Sequence, residues 1–301
     1  LTFADVTTQS TACPLKYYVT RTWTAKDDCN NTATASQIIN VQDVTPPVIA
    51  PLPAISTINC PAVPSFATAT ATDACGGPVT LTFADVTTQS TACPLKYYVT
   101  RTWTAKDDCN NTATTSQIIN VQDVTPPVFS IQVINQSVEC NGTGNASALA
   151  AWLASHGGAS ASDACSGVTW TNNYTALSDL CGATGSASIT FTATDDCGNA
   201  SSSTGTFTII DSTPPSITAV TSQSVECNGT GNASALAAWL ASHGGASASD
   251  ACSGVTWTNN YTALSDLCGA TGSASITFTA TDDCGNASSS TGTFTIIDST
   301  P

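Results

Sequence analysis

Two residue types carry the chemistry open to this sequence, aspartate and cysteine, and both recur at fixed spacing. A pair of aspartates precedes a cysteine four times: Asp27 and Asp28, Asp107 and Asp108, Asp195 and Asp196, Asp282 and Asp283. A single aspartate stands two residues before another cysteine (Asp73, Asp163, Asp250), and one opens each Asp-x-Thr-Pro segment (Asp43, Asp123, Asp211, Asp298). Glu139 and Glu226 directly precede cysteines. Clustered carboxylates suit calcium, which takes about six to eight oxygen ligands, whereas zinc draws on His or Cys. The candidate calcium ligands are Asp73, Asp107, Asp108, Asp123, Asp163, Asp195, Asp196, Asp211, Asp250, Asp282 and Asp283, with an Asp-x-Thr-Pro aspartate of the adjoining domain completing a shell. The competing reading is that these residues shape turns by accepting hydrogen bonds from their own backbone.

Charge favours the cation. The formal net charge is −15, and all six Lys and Arg lie within residues 1–106, where six Asp balance them. Residues 107–301 therefore carry 15 acids and no base, a one-signed stretch that repels itself unless neutralised. The same charge excludes nucleic acid, whose phosphates need clustered Lys and Arg. No apolar run reaches the ~18 residues of a membrane span. Catalysis is poorly served. The two histidines, His156 and His243, occupy one repeated position after a helical pattern, where a helix C-terminus favours them. Adjacent aspartates such as Asp195 and Asp196 diverge on a strand and cannot flank a glycosidic bond. The sequence is read as non-enzymatic.

Cysteines stand four to a repeat: Cys60, Cys75, Cys93 and Cys109; Cys140, Cys165, Cys181 and Cys197; Cys227, Cys252, Cys268 and Cys284. Two disulfides in each ~85-residue domain imply an oxidising, extracellular setting. Cys181 and Cys197 bracket a strand about 30 Å long, too far for a bond that needs Cα atoms within ~7 Å. In a sandwich the Cys165 and Cys197 loops share one end. The expected pairs are Cys165 with Cys197 and Cys140 with Cys181, hence Cys75 with Cys109 and Cys60 with Cys93, and in the last repeat Cys252 with Cys284 and Cys227 with Cys268. Cys13 and Cys29 are left without these partners.

The elements that must position these residues follow from internal repeats. Residues 1–48 recur at 81–128 with one difference, Ala35 against Thr115, and residues 137–214 recur unchanged at 224–301. The Thr-Pro-Pro segments act as short stiff linkers, because successive prolines donate no ladder hydrogen bonds. The domains read as 1–47, a partial A-type repeat lacking its first strands; 48–127, a whole A-type repeat; and 128–215 and 216–301, two B-type repeats. The missing part of the first repeat suggests an excerpt of a longer array, or completion by a neighbouring copy. Ile189, Phe191 and Ala193 alternate with Thr190, Thr192 and Thr194, giving strands with one buried face and one threonine face. The fold class is all-β: tandem Ig-like β-sandwiches in an extended array. A short helix is inserted in the B type at 146–156, where Leu149, Trp152 and Leu153 form a stripe that caps the core.

The string Thr-Ala-Thr-Asp-Asp-Cys-Gly-Asn (192–199 and 279–286), the upstream Ser-Asp-Ala-Cys (162–165) and the closing Asp-Ser-Thr-Pro-Pro resemble the hyalin-repeat-like, Ig-like modules of large secreted bacterial surface proteins of the Bacteroidota type. Arg-Thr-Trp-Thr-Ala-Lys-Asp-Asp-Cys (101–109) resembles a variant, with Asn110 in the usual glycine place. The resemblance implies tandem adhesin, stalk or filament repeats at the cell surface, without catalytic residues. The expected function is a disulfide-stapled, calcium-stiffened structural segment, with copies of itself along a fibre or further repeats of the same chain as partners. The alternative is a glycan-binding module with Trp152, Trp170 and Tyr174 as its platform. Eleven Asn-x-Ser/Thr sequons leave glycosylation open.

Overall fold

The computed structural model describes every residue except Ala12, Ala92, Pro94, residues 266–268 and Pro301. The expected Cys227–Cys268 pair therefore lies outside the described residues. Strands dominate, as the threonine-rich alternation requires. In the first 47 residues, β1 (Thr2–Gln9), β2 (Tyr17–Lys26) and β3 (Thr32–Val41) form an antiparallel sheet in the order β1-β2-β3. The whole A-type repeat contributes β4 (Val48–Ile49), β5 (Ser56–Asn59), β6 (Ala71–Thr72), β7 (Val79–Gln89), β8 (Tyr97–Asp107) and β9 (Thr112–Gln122). These make a four-stranded sheet, β5-β9-β8-β7, and a two-stranded sheet, β4-β6. The pairing β5 with β9 is parallel, and β7-β8 and β8-β9 are antiparallel, an Ig-like arrangement.

The first B-type repeat adds β10 (Val128–Ile131), β11 (Gln136–Glu139), α1 (Ala146–Ala154), β12 (Ser160–Ser162), β13 (Val168–Asn172), β14 (Gly185–Asp195) and β15 (Ala200–Ile210). The second has the same plan: β16 (Ser216–Ile217), β17 (Gln223–Glu226), α2 (Ala233–Ala241), β18 (Ala248–Ser249), β19 (Val255–Asn259), β20 (Gly272–Asp282) and β21 (Ala287–Ile297). Their sheets run β11-β15-β14-β13 with β10-β12, and β17-β21-β20-β19 with β16-β18.

The chain divides into two compact units. One comprises Leu1–Pro126 with Asp163–Val168 and Thr194–Asn199, and the other Pro127–Ser162, Thr169–Ala193 and Ala200–Pro301. The two short loop segments of the first unit carry Cys165, bonded to Cys60, and Cys197, bonded to Cys93.

The alternating strands bury the residues their period dictates. Ile189, Phe191 and Ala193 on β14 meet Phe207 and Ile209 on β15 in one core, and Ile276, Phe278, Phe294 and Ile296 repeat it. On the opposite face the hydroxyls of Thr190 and Thr204 lie 2.8 Å apart, as do those of Thr277 and Thr291, a cross-strand threonine pair. The helix is shorter than its pattern suggests. It ends at Ala154, and His156–Gly158 forms a separate 3-10 turn with His156 at φ 55° and Gly157 at φ 66°. Gly157 is required there, because a Cβ would sit 2.5 Å from Val133 Cγ1. Trp152, 4% exposed, caps the core and donates its indole N–H to the Ile134 carbonyl at 3.0 Å.

Candidate metal centre at the repeat junctions

Strand register places the cysteines at two poles of each repeat. Asn59 pairs with Gln122, Gln89 with Tyr97, and Tyr97 with Val121, so Cys60 and Cys93 follow strand ends at the pole where the chain leaves through Asp123. Val79 pairs with Asp107, which puts Cys75 and Cys109 at the opposite pole, where the chain enters. The first and third cysteines of a repeat thus face its successor, and the second and fourth face its predecessor. All five described disulfides obey this rule. First-position cysteines bond second-position cysteines of the next repeat (Cys60–Cys165, Cys140–Cys252), and third bond fourth (Cys13–Cys109, Cys93–Cys197, Cys181–Cys284).

This overturns the expected pairing within repeats. Cys165 and Cys197 do share one end of the sandwich, but each reaches back to the preceding repeat instead of bonding its neighbour. Cys60 and Cys93, and Cys140 and Cys181, likewise share a pole but each bonds forward to the next repeat, Cys252 and Cys284 each bond back to the preceding one, and of Cys75 and Cys109 only Cys109 is bonded, to Cys13. Cys29, Cys75 and Cys227 are unpaired among the described residues. Each bond closes a loop of 96 to 112 residues, for which chain entropy alone gives about 4.7 kcal/mol.

The same junctions gather the carboxylates. Asp43 and Asp73 lie with Cys75, Asp123 and Asp163 with Cys165, and Asp211 and Asp250 with Cys252; in each group one ligand atom per residue lies within 4.8 Å of the others. The linker aspartate of one repeat therefore meets the Ser-Asp-Ala-Cys or Thr-Asp-Ala-Cys loop of the next. Asp43 and Asp123 are 8% and 7% exposed. Their Oδ1 atoms accept from the backbone N–H of Thr45 (2.9 Å) and Thr125 (3.1 Å). The buried Oδ2 atoms of Asp43, Asp73, Asp123 and Asp211 have no hydrogen-bond partner among the described residues, a state that a buried anion holds only at a cost. A cation between the two carboxylates would satisfy it. Cys165 and Cys252 are oxidised, so the donor set common to the groups is carboxylate oxygen, which fits a hard ion. Arg21 and Arg101 supply no neutralisation here, each being held at 2.7 Å by Asp5 or Asp85.

The paired aspartates divide their roles, and the turn-shaping reading holds for them. Asp195 Oδ1 accepts from the N–H groups of Cys197 and Asn199, both at 2.8 Å, and Oδ2 accepts from Asn199 Nδ2 at 2.7 Å. Asp107 with Asn111 and Asp282 with Asn286 repeat these contacts. These carboxylates are occupied, and neither they nor Asp108, Asp196 and Asp283 belong to the three groups. Asp283 instead accepts from the Gly254 N–H at 3.1 Å. Burial works to raise the pKa of Asp195 and Asp282, but the asparagine and backbone hydrogen bonds outweigh it and hold both below the ordinary value. Asp211 moves the other way: burial first, then repulsion from Asp250, Asp282 and Glu139, raises it.

The sequence reading missed the asparagine that closes each Asp-Asp-Cys-x-Asn string. Its Nδ2 also donates to the backbone carbonyl of the preceding linker aspartate: Asn111 to Asp43 (3.3 Å), Asn199 to Asp123 (3.3 Å) and Asn286 to Asp211 (3.1 Å). The signal was its constant place four residues after the first aspartate. Asn110 adopts φ 70° where Gly198 adopts φ 88°, a left-handed position that asparagine tolerates. Linkers are docked and not loose. Glu139 accepts from the Ser212 N–H (2.7 Å) and from the Thr213 hydroxyl (2.9 Å), and Pro47 and Pro215 are fully buried.

The aromatic platform does not assemble. Trp152 is core, and one face of Trp170 is covered by the His156 ring, stacked at 4.5 Å and 7°, with Phe129 edge-on at 5.5 Å. His156 thus serves to pack Trp170.

No protein-family model matches the chain, and no curated protein is similar to it in sequence. Among solved structures it resembles the protocadherin GammaB4 extracellular domain (17% identity, 96% of this chain and 54% of that one, TM-score 0.30). It also resembles mouse cadherin-23 EC22-24 (14%, 84% and 99%, TM-score 0.32) and protocadherin Gamma B7 domains 1-4 (14%, 93% and 82%, TM-score 0.33). The chain spans about half the length of the protocadherin GammaB4 ectodomain. Identities and TM-scores this low carry no argument about fold or function. The disulfides, independently, require an oxidising compartment.

Proposed function

We propose that this segment is a tension-bearing structural stretch of an extracellular fibre, stalk or adhesin at a cell surface, in which each β-sandwich repeat is locked covalently to the next. One observation carries the reading: every described disulfide joins a repeat to its successor. The third-to-fourth bonds have a mechanical consequence. Cys93 and Cys109 stand at the two ends of β8, and Cys181 and Cys197 at the two ends of β14, so Cys13–Cys109, Cys93–Cys197 and Cys181–Cys284 link these strands in series. Pull travels along strand, bond, strand and bond, and the rest of each repeat is bypassed.

Calcium is the proposed ion at Asp43 with Asp73, Asp123 with Asp163, and Asp211 with Asp250, where it would neutralise the junction and stiffen it. The role needs no catalytic group. It agrees with the hyalin-repeat-like surface modules whose motifs the sequence resembles. Negative-stain microscopy of native material, with masses measured under denaturing conditions with and without reductant, tests it. Thin fibres are expected. Dispersed globular particles would contradict a structural role.

A further inference from the structure

Two of the junction groups contain a sulfur that the hard-ion reading leaves aside. The Cys165 Sγ lies within 4.8 Å of a carboxylate oxygen of both Asp123 and Asp163, and the Cys252 Sγ stands in the same relation to Asp211 and Asp250. Each sulfur is half of a disulfide, the first to Cys60 and the second to Cys140. In that form it is a poor ligand, and only oxygen serves the ion. Reduction changes the donor set of each junction to two carboxylates and two thiolates. Four such donors suit a tetrahedral zinc ion, with bonds of about 2.3 Å to sulfur and about 2.0–2.2 Å to oxygen. Two sulfurs on one such ion stand about 3.8 Å apart. Cysteines whose Cα atoms are 6.0 Å apart, as in both pairs, can take up that spacing.

Two separate features point to a bound cation and to a steadied thiolate. Asp123 is 7% exposed, and its Oδ2, like that of Asp211, has no hydrogen-bond partner among the described residues. At the junction between the B-type repeats, the Gly142 N–H donates to the Cys140 Sγ at 3.4 Å, the kind of outer contact that supports a metal-bound sulfur. That approach is reserved for glycine, because a Cβ at Gly142 would run into the Ala251 carbonyl oxygen. The third-to-fourth pairs, Cys13–Cys109, Cys93–Cys197 and Cys181–Cys284, belong to no such acidic group among the described residues.

We infer that these junctions are redox-gated metal sites. With the disulfide intact, a junction takes a hard divalent cation on carboxylate oxygen. With the disulfide reduced, it takes zinc on two carboxylates and two thiolates, Asp123, Asp163, Cys60 and Cys165 in one case and Asp211, Asp250, Cys140 and Cys252 in the other. A metal then holds successive repeats together where sulfur did. This rests on the between-repeat disulfides that carry the structural reading above. Two molecules of a thiol supply the electrons. One thiolate attacks a sulfur of the Cys60–Cys165 bond and releases the other cysteine as thiolate, and the second attacks the mixed disulfide and frees the first cysteine. Two thiols become one disulfide, and the two protein sulfurs gain two electrons. Zinc keeps both sulfurs as thiolates, and the protons of the reductant pass to the buffer. Calcium, with its preference for oxygen, gains nothing from this step.

The test uses the full chain. Peptide mapping before reduction locates Cys60–Cys165 and Cys140–Cys252. A water-soluble phosphine, which becomes its oxide with oxygen from water, then reduces the chain without adding a competing thiol. Alkylation of each cysteine is timed by mass spectrometry with zinc, with calcium and with neither. Zinc should slow Cys60, Cys165, Cys140 and Cys252 by about tenfold or more, since a thiolate held by a metal is no longer a free nucleophile. Calcium should leave them fast, and Cys13, Cys93 and Cys181 should stay fast throughout. Asp123→Asn with Asp163→Asn should restore fast alkylation at Cys60 and Cys165 alone. Continued protection of Cys140 and Cys252 in that variant reports that the chain is still folded. Zinc protection spread over every cysteine, protection that ignores the double substitution, or no protection at all would overturn the inference. With both disulfides mapped beforehand, such a failure removes the zinc sites alone. Absence of those disulfides before reduction removes the structural reading as well.

Discussion

Consider the chain held at its two ends and pulled. Fully reduced, 301 residues at ~3.5 Å each extend to about 1,050 Å. Oxidised, the shortest covalent route runs from Leu1 to Cys13, crosses to Cys109, returns to Cys93, crosses to Cys197, returns to Cys181, crosses to Cys284 and goes on to the end. That route holds about 61 peptide steps, or roughly 210 Å. The three crossings, with Cα atoms 4.7, 4.7 and 5.2 Å apart, bring it to about 230 Å. Bonds within repeats would leave a much longer route, about 650 Å. Optical-tweezer extension of single chains with end handles therefore separates the two arrangements without any structure. The oxidised chain should stop near 230 Å whatever force unfolds the sandwiches, and added reductant should release about 800 Å more. An oxidised chain that extends past about 600 Å, or that yields repeat-sized steps without reductant, would refute the serial strand-and-bond spine.

The remaining predictions concern the junction carboxylates. Calcium should raise the melting temperature of the oxidised chain, followed by circular dichroism, by the equivalent of about 2.7 kcal/mol per site at a hundredfold excess over the dissociation constant. Asp123→Asn combined with Asp211→Asn should remove most of that gain, and an unchanged calcium response in this variant would point to other ligands. In chelator the pH profile has two limbs. Asp211 has a raised folded pKa, so its charged form is penalised at neutral pH and stability should rise as pH falls through that value towards the ordinary aspartate value of 3.8. Asp107, Asp195 and Asp282 have lowered folded pKa values, so the stability they lend is present above 3.8 and is lost as pH falls below it. A melting temperature that only declines from pH 7 downward would contradict the Asp211 assignment.

Much of the fold was legible because one face of each strand is threonine. The alternation around Phe191 is local, and a buried face follows from it without knowledge of the partner strand. The turn role of Asp195 was legible for the same reason, since its partners are two and four residues away. What escaped was everything that crosses a linker. The expected disulfides treated a repeat as closed on itself, although the distance that kept Cys181 from Cys197 also places them at opposite poles, each facing another repeat. The same holds for Asp195, which the sequence offers as a calcium ligand alongside Asp163. Asn199 occupies the Asp195 carboxylate, and the partner of Asp163 is Asp123 from the repeat before. Asp43 belongs to the first group by the same geometry, as the Asp-x-Thr-Pro aspartate that meets the loop of the next repeat. A tandem array builds its sites from neighbours, and a repeat read alone shows only half of each.

The central claim is that the covalent links run between repeats. Peptide mapping of the unreduced chain, with free thiols blocked before digestion, reads it most directly. The account predicts fragments joining Cys13 to Cys109, Cys60 to Cys165, Cys93 to Cys197, Cys140 to Cys252 and Cys181 to Cys284, with Cys29 and Cys75 blocked. Recovery of Cys60 joined to Cys93, or of Cys165 joined to Cys197, would contradict it.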